Sequence, residues 1–448
     1  MDGIPRRGST ALRVFAVVTA SAAVALTTAC GAASHPAPSH TPTAAATPTT
    51  TPATTDLLAG ITVSPSEVQA AAAHGNALTI DMLQQLELAN PGTNFVDSAY
   101  SLATALAMLE LGARGDTANQ IATGLHDAGV SAEQQAAAWR QLDASLLATA
   151  TAGGISLDVS NALWLQKGLP VDPSFLDTLV KNFAAPSTQV DFSGDPQGAA
   201  GLINNWVSQA TQGHIPTLVA PGDIQGLLFA LADAIYFDAT WQYQFIVNFT
   251  SDGTFYRADD STVSTPLMHS DDPLPLTTYS GNGVTAVELP YVGGHYVADV
   301  LMPTSQPIAS FVSGLTTESL AGIEQDLTAA QVVLTLPKFN ISSQLQLSTL
   351  LTSLGMTDAF GGAADFSGID GRTDLHLGLA KQDATMQVDE VGTTATAATI
   401  VGGLGGAGGP IQTVNVVINH PFLFLIRDLS SGAIVFTAEV TDPSATAS

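Results

Sequence analysis

The chain has 448 residues, 46% of them hydrophobic and only 11% charged, so it holds enough apolar material for a large core. Its 39 acidic residues against 12 basic ones give a net charge of −27, which excludes a nucleic-acid partner because no basic patch is left to neutralise phosphates. Basic residues in the body stand singly (Arg114, Lys167, Lys181, Arg257, Lys338), which gives a polyanion-binding helix no support, and the nine histidines never fall at ligand spacing, so no metal or other cofactor is expected.

The N-terminus reads as an export signal. Arg6, Arg7 and Arg13 flank or precede an apolar, small-residue stretch, residues 14–29, that runs into Leu26-Thr-Thr-Ala-Cys30. The stretch is short for a membrane-spanning helix. Cys30, the only cysteine, stands where bacterial lipoproteins are cleaved and lipidated, although Thr27 replaces the usual Leu, Val or Ile. The alternative is an ordinary signal peptide cut nearby, with Cys30 incidental. Lipidation would hold the protein on the outer face of the cell membrane without a spanning helix. Either way the mature fold has no disulfide. Residues 31–56 are almost all Ala, Pro, Thr and Ser, a composition expected to give a flexible stalk. The expected organisation is a signal at 1–30, a linker at 31–56 and one domain at 57–448.

Within the domain, Ser64 reads as a helix N-cap, with Pro65 in the first turn and Glu67 closing a capping box. That helix should reach about Asn90, with a break near Gly75. Residues 98–111 show an apolar face at Leu102, Leu106 and Leu109 and stop at Gly112, and 117–125 form a further short helix. A buried strand at 159–166, a helix at 204–212 with Trp206 on its apolar side, and a central strand at 229–241 follow. The second half is mostly strand: 285–290, 296–302, 331–336, 385–390, 414–418, 422–427 and 433–440. One helix interrupts it, 348–354, closed by Gly355. Helices first and strands later imply an α+β fold with sizeable antiparallel sheets.

Glu390 and Gly392 introduce the most unusual stretch. Residues 393–399 are only Thr or Ala, and a glycine-rich tract, 402–410, follows. Small and β-branched residues can be solvated or packed into a sheet at little cost either way.

Several segments in order carry a family resemblance. They are Leu111-Gly-Ala-Arg-Gly-Asp-Thr117, residues 204–211, Ala234-Ile-Tyr-Phe237 with Trp241, and Glu288-Leu-Pro-Tyr291. Further along come Leu336-Pro-Lys-Phe339, Leu354-Gly-Met-Thr-Asp-Ala-Phe360, Ala364-Asp-Phe-Ser-Gly-Ile369, Val388-Asp-Glu-Val-Gly392 and His420-Pro-Phe-Leu-Phe-Leu-Ile-Arg427, closing with 432–440. Over residues 57–443 the chain resembles the serpin family. The resemblance implies three β-sheets, about nine helices and an exposed reactive-centre loop near the C-terminus. It implies a monomer that inhibits proteinases as a suicide substrate and is not an enzyme. The target cuts the loop, the loop inserts as a new strand into the central sheet, and the acylated proteinase is carried to the far pole. The native state is then a kinetic trap.

The resemblance makes Glu390 and Gly392 the hinge and places Trp241 at the breach. It turns Thr393, Ala395, Ala397 and Thr399 inward on insertion, and Thr394, Thr396, Ala398 and Ile400 outward, by strand alternation. The inward set is small and uncharged, so insertion meets little desolvation barrier. The family usually has Glu at position 394. It also has a hydrogen-bonded lock under the sheet, for which Ser98 and Ser101 match its serines while Ala99 replaces its proline. Its Asn and His are here Asp233 and Gln382, an acceptor and a donor that would form a replacement lock; the alternative is that Asp233 faces solvent.

The family's spacing from Glu390 puts the scissile bond at Gly406-Ala407, which favours elastase-like targets. Cleavage at Leu404-Gly405 would instead favour chymotrypsin-like or subtilisin-like enzymes, because Leu404 is the sizeable side chain a primary pocket would select. The loop carries no Arg or Lys, which disfavours trypsin-like targets, and a cysteine proteinase would also pass through a trappable acyl-enzyme. The match of residues 403–408 to a dinucleotide fingerprint is set aside, because Pro410 and a strand follow where a helix is needed. Two functions stay open: a surface-displayed proteinase inhibitor, and a non-inhibitory serpin-fold binding protein or cleavable sensor.

Overall fold

The structure, a computed structural model, describes residues 56–185, 189–270, 272–394 and 413–445. The chain divides into units Met1–Pro52 and Ala53–Ser448, and everything described belongs to the second. Cys30, Ala395, Ala397, Thr399 and the 404–407 bait lie outside the described residues.

Helix α1, Pro65–Ala89, starts where the sequence signals it: Ser64 and Glu67 form the capping box. It runs through Gly75 without a break. A side chain there would bring a Cβ to 3.0 Å from the Trp139 ring, so this glycine allows close packing of two helices and does not interrupt one. Trp139 belongs to α4, Ala132–Gly153, an Ala- and Gln-rich helix whose apolar pattern is too dilute to stand out in the sequence. Between them in sequence are α2, Ala99–Glu110, and α3, Gly115–Gly124. Every residue of α2 is buried, so it is a core helix and not an amphipathic one. Helices α5, Pro173–Phe183, and α6, Pro196–Ala210, follow. Trp206 of α6 packs edge-on against Trp164, 5.9 Å between ring centres.

Sixteen strands are described. In chain order they are β1 (Phe95–Asp97), β2 (Ser156–Gln166), β3 (Gln189–Val190), β4 (Phe229–Thr240), β5 (Ser251–Tyr256), β6 (Thr262–His269), β7 (Leu274–Gly281) and β8 (Val284–Pro290). The second eight are β9 (Tyr296–Pro303), β10 (Thr328–Pro337), β11 (Phe339–Gln346), β12 (Leu379–Val388), β13 (Gly392–Thr393), β14 (Thr413–Val417), β15 (Phe422–Asp428) and β16 (Ile434–Val440). They form a six-stranded sheet, β11-β12-β13-β4-β2-β3, and a ten-stranded one.

Three sheets are expected from the resemblance, and hydrogen bonding joins two of them. Strand β10 pairs with β7 through its first half, Thr328–Val332, and with β6 through its last three residues, while β14 runs parallel on its other edge. One strand thus serves both groups. Eleven α-helices are described where about nine are implied, and the surplus lies in short turns such as Pro221–Ile224 and Ser367–Asp370. The main core fills the space behind the six-stranded sheet, around α2 and the large strands β9, β15 and β16.

The α1 cap supplies a first test. Ser64→Ala removes the acceptor for the Glu67 amide, which costs about 1 kcal/mol. The thermal midpoint should fall by about 2 °C, measured by circular dichroism.

Candidate functional site

The site is the place where two middle strands of the six-stranded sheet separate. Strands β4 and β12 pair in parallel only at one end, Leu379–Asp383 against Ala230–Ala234. At the other end the two-residue strand β13 lies between them: Thr393 pairs with Val388 and Ala239, and Gly392 with Thr240.

The chain reaches β13 through a tight turn at the end of β12. The Asp389 carboxylate accepts hydrogen bonds from the amides of Val391 (2.8 Å) and Gly392 (3.2 Å). The Asp389 amide donates to the Gly392 carbonyl at 3.0 Å. Gly392 has no room for a side chain, since a Cβ would lie 2.0 Å from the Ala239 carbonyl oxygen. Glu390, in the turn, is buried and held by Lys338 Nζ at 2.7 Å and Thr250 Oγ1 at 2.6 Å. Burial pushes its pKa up, but the bonds from Lys338 and Thr250 outweigh that and hold it below the usual range.

Thr393 points into the core, is 1% exposed, and shares a 2.6 Å hydrogen bond with Tyr291 Oη. Tyr291 stacks on Trp241 with ring centres 4.5 Å apart. Trp241 in turn donates from Nε1 to the Asp389 carbonyl at 3.0 Å and from its amide to the Val391 carbonyl at 2.8 Å. The indole therefore fastens the hinge turn to the end of β4. Thr394 has a positive φ of 56°, a left-handed backbone that departs from strand geometry, and its amide bonds the Gln387 carbonyl at 2.8 Å.

Ser98, Ser101, Asp233 and Gln382 meet beneath the joined end, and all four are fully buried. Gln382 Nε2 donates to Asp233 Oδ2 at 2.7 Å and to the Ser98 carbonyl at 2.9 Å, and its Oε1 accepts from the Ser98 amide at 3.1 Å. The Ser101 hydroxyl donates to Asp233 Oδ1 in a short bond. Ser98, the N-cap of α2, also donates to the Val435 carbonyl at 2.7 Å, and Asn161 Nδ2 donates to the Ser101 carbonyl at 3.2 Å. Asp233 therefore does not face solvent. Burial pushes its carboxyl up to about 7, held back by the Ser101 and Gln382 bonds. The Asp233–Gln382 bond spans β4 and β12, so a strand entering between them must break it.

Tyr291, Lys338, Thr250 and Asn161 also belong to this site. Tyr291 and Lys338 lie inside segments that carry the family resemblance, but nothing local in the sequence marks them as partners of residues 52 and 102 positions away.

A sheet joined at one end, held apart at the other, and already containing a glycine and the first residue of the Thr/Ala stretch that follows it defines a strand-accepting inhibitor. Residues 73–443 match the model of the family described as Serpin (serine protease inhibitor). The chain belongs to the serpin family, and is an inhibitor of proteinases rather than an enzyme. It is 31% identical over 372 residues to leukocyte elastase inhibitor from Bos taurus, covering 81% of this chain and 97% of that one. It is 30% identical over 371 residues to plasminogen activator inhibitor 1 from Sus scrofa, covering 81% and 90%. A crystal structure of native protease nexin-1 with heparin aligns with a TM-score of 0.74 at 25% identity, over 84% of this chain and 100% of that one.

The hinge glycine supplies a second test. Gly392→Val should expel β13, because even its Cβ meets the Ala239 carbonyl. Amide hydrogen exchange across residues 388–394 should then speed up by about tenfold or more, and unchanged protection would show that the turn tolerates a side chain.

Proposed function

We propose that this chain is a bacterial, exported suicide-substrate inhibitor whose hinge, once the loop is cut, continues inward between β4 and β12 along the path that Gly392 and Thr393 already occupy. That seating of β13 is the observation that carries the reading. Glu390, Gly392, Thr393, Ala395, Ala397 and Thr399 form the hinge, and Trp241 holds the breach. Asp233 and Gln382, with Ser98 and Ser101, form the lock that keeps the sheet shut until the hinge arrives. Cleavage falls at Gly406-Ala407, or at Leu404-Gly405. The targets are elastase-like, chymotrypsin-like or subtilisin-like; the name of the bovine relative favours the first class. Cys30 carries the lipid that anchors a monomeric inhibitor to the outer face of the membrane.

The decisive experiment incubates the purified protein with elastase, chymotrypsin and subtilisin. A complex that survives boiling in detergent is expected with at least one, and the mass of the peptide freed in detergent fixes the bond. Cleavage by all of them without any complex would favour a non-inhibitory sensor instead.

The lock has its own test. Asp233→Ala leaves a buried amide donor unmade and opens space beneath the joined strands. Spontaneous loop insertion should accelerate by about tenfold, and the thermal midpoint should fall by several degrees. An unchanged rate together with an unchanged midpoint would remove Asp233 from the lock.

A further inference from the structure

Asp97 ends β1, one residue before the N-cap of α2. It is 0% exposed, and neither carboxylate oxygen has a hydrogen-bond partner among the described residues. Strand β1 packs against β11, β12 and β16, directly behind the strands that part. Asp97 directly precedes Ser98, whose amide and carbonyl hold Gln382, and the charge of Asp233 is felt at Asp97. Two carboxyls therefore share the dry space under the joined end of the sheet, and only Asp233 is hydrogen-bonded.

None of the charged groups on the neighbouring strands is a counter-ion to either carboxyl. On β16, Glu439 lies near Glu87 of α1, an acid like itself, and its oxygens have no hydrogen-bond partner among the described residues. On β12, Asp383 accepts from Gln344, and Lys381 pairs with Asp223 at 2.7 Å. No cation among the described residues forms an ion pair with Asp97 or Asp233.

We propose that Asp97 is a further positioning residue of the loop-insertion step: as a neutral carboxyl it leaves Asp233 free to hold Gln382, and as a carboxylate beside Asp233 it makes the closed sheet part sooner. The inference rests on Asp233–Gln382 being the lock.

The direction in pH follows from burial. Burial raises Asp97 to about 8, with the charge of Asp233 adding to it, and raises Asp233 to about 7. The closed, dry arrangement therefore holds protons that a parted, wetted one would release. Closure is favoured at low pH, and that advantage is lost as pH rises from the ordinary carboxyl range through about 7 and about 8. Parting the strands for an inserted one takes β12 from about 4.8 to about 9.6 Å from β4. That separation breaks the Gln382 bond and admits a new neighbour to both carboxyls.

The test uses the full chain and needs no proteinase. Conversion to the loop-inserted form is followed on urea-gradient gels at about pH 6 and about pH 8.5, where the native protein should convert about tenfold faster at the higher pH. Asp97→Asn, which keeps shape and cannot ionise, should convert slowly at both, with a clearly flatter slope; Asp97→Leu should do the same. Other buried acids tilt both proteins alike, so the difference between the slopes is the readout. An equal slope in native protein and Asp97→Asn overturns the role of Asp97. If Asp233→Ala is meanwhile faster than native, the lock survives and this inference alone fails. If Asp233→Ala is unchanged in rate and midpoint, both fail. Should the variants not fold, infrared spectra of the native protein test the premise: Asp97 should contribute, with Glu110 and Glu439, to a protonated carboxyl band at neutral pH, and the absence of any such band overturns the proposal.

Discussion

Everything in this molecule turns on the unequal pairing of β4 and β12. Each is partnered along most of its outer edge, β4 by β2 from Phe229 to Asp238 and β12 by β11 from Lys381 to Val388. On their inner edges they share a ladder only from Ala230 to Ala234 and from Leu379 to Asp383. Farther along, β13 takes the place between them, and residues 235–238 and 384–386 have no ladder partner across the gap among the described residues. A sheet stores free energy in such an opening, because backbone donors and acceptors that face one another are not joined. The hinge turn, the Trp241–Tyr291 stack and the Asp233–Gln382 bond all act at the two ends of this one gap.

The two ends are built differently. The hinge end is fixed by shape: Gly392 is the only residue the Ala239 carbonyl allows, and aromatic rings clamp the turn. The closed end is fixed by polar groups in a dry space, where each bond is strong and each missing partner is costly. A polar fastening suits a contact that must hold and later let go, since an incoming strand can replace its hydrogen bonds. An apolar fastening of the same area would leave nothing to exchange.

Much of this was legible in the sequence because the relevant residues sit in short, ordered segments. The run from Glu390 to Thr399 stands out by composition and the family resemblance makes it a hinge, while Ser98, Ser101, Asp233 and Gln382 can be brought together from the sequence because the segments around them keep the family's order. What stayed hidden depends on tertiary surroundings. Nothing in the sequence around Phe95 and Val96 marks the charged Asp97 as buried; only the fold places it inside. Gly75 resembles a helix breaker until Trp139 is seen against it. Helix α4 escapes because alanine and glutamine make a weak stripe, and its burial is decided by α1 and α2. The merging of two expected sheets likewise depends on one strand, β10, being long enough to serve two neighbours in succession.

The placement of the last three strands has a consequence of another kind. Strands β14, β15 and β16 all follow the loop in sequence, and all are woven into the ten-stranded sheet, with β15 between β9 and β16 and β14 on β10. The side chains of β15 and β16 are buried throughout. A break in the backbone between β13 and β14 therefore releases nothing. The protein becomes two chains that remain one folded body, and the shorter chain is held by the centre of a sheet rather than by a surface contact. Such a molecule keeps a lasting record of a single encounter: the cut chain stays folded around its own break, and its shorter piece leaves only when the sheet itself unfolds.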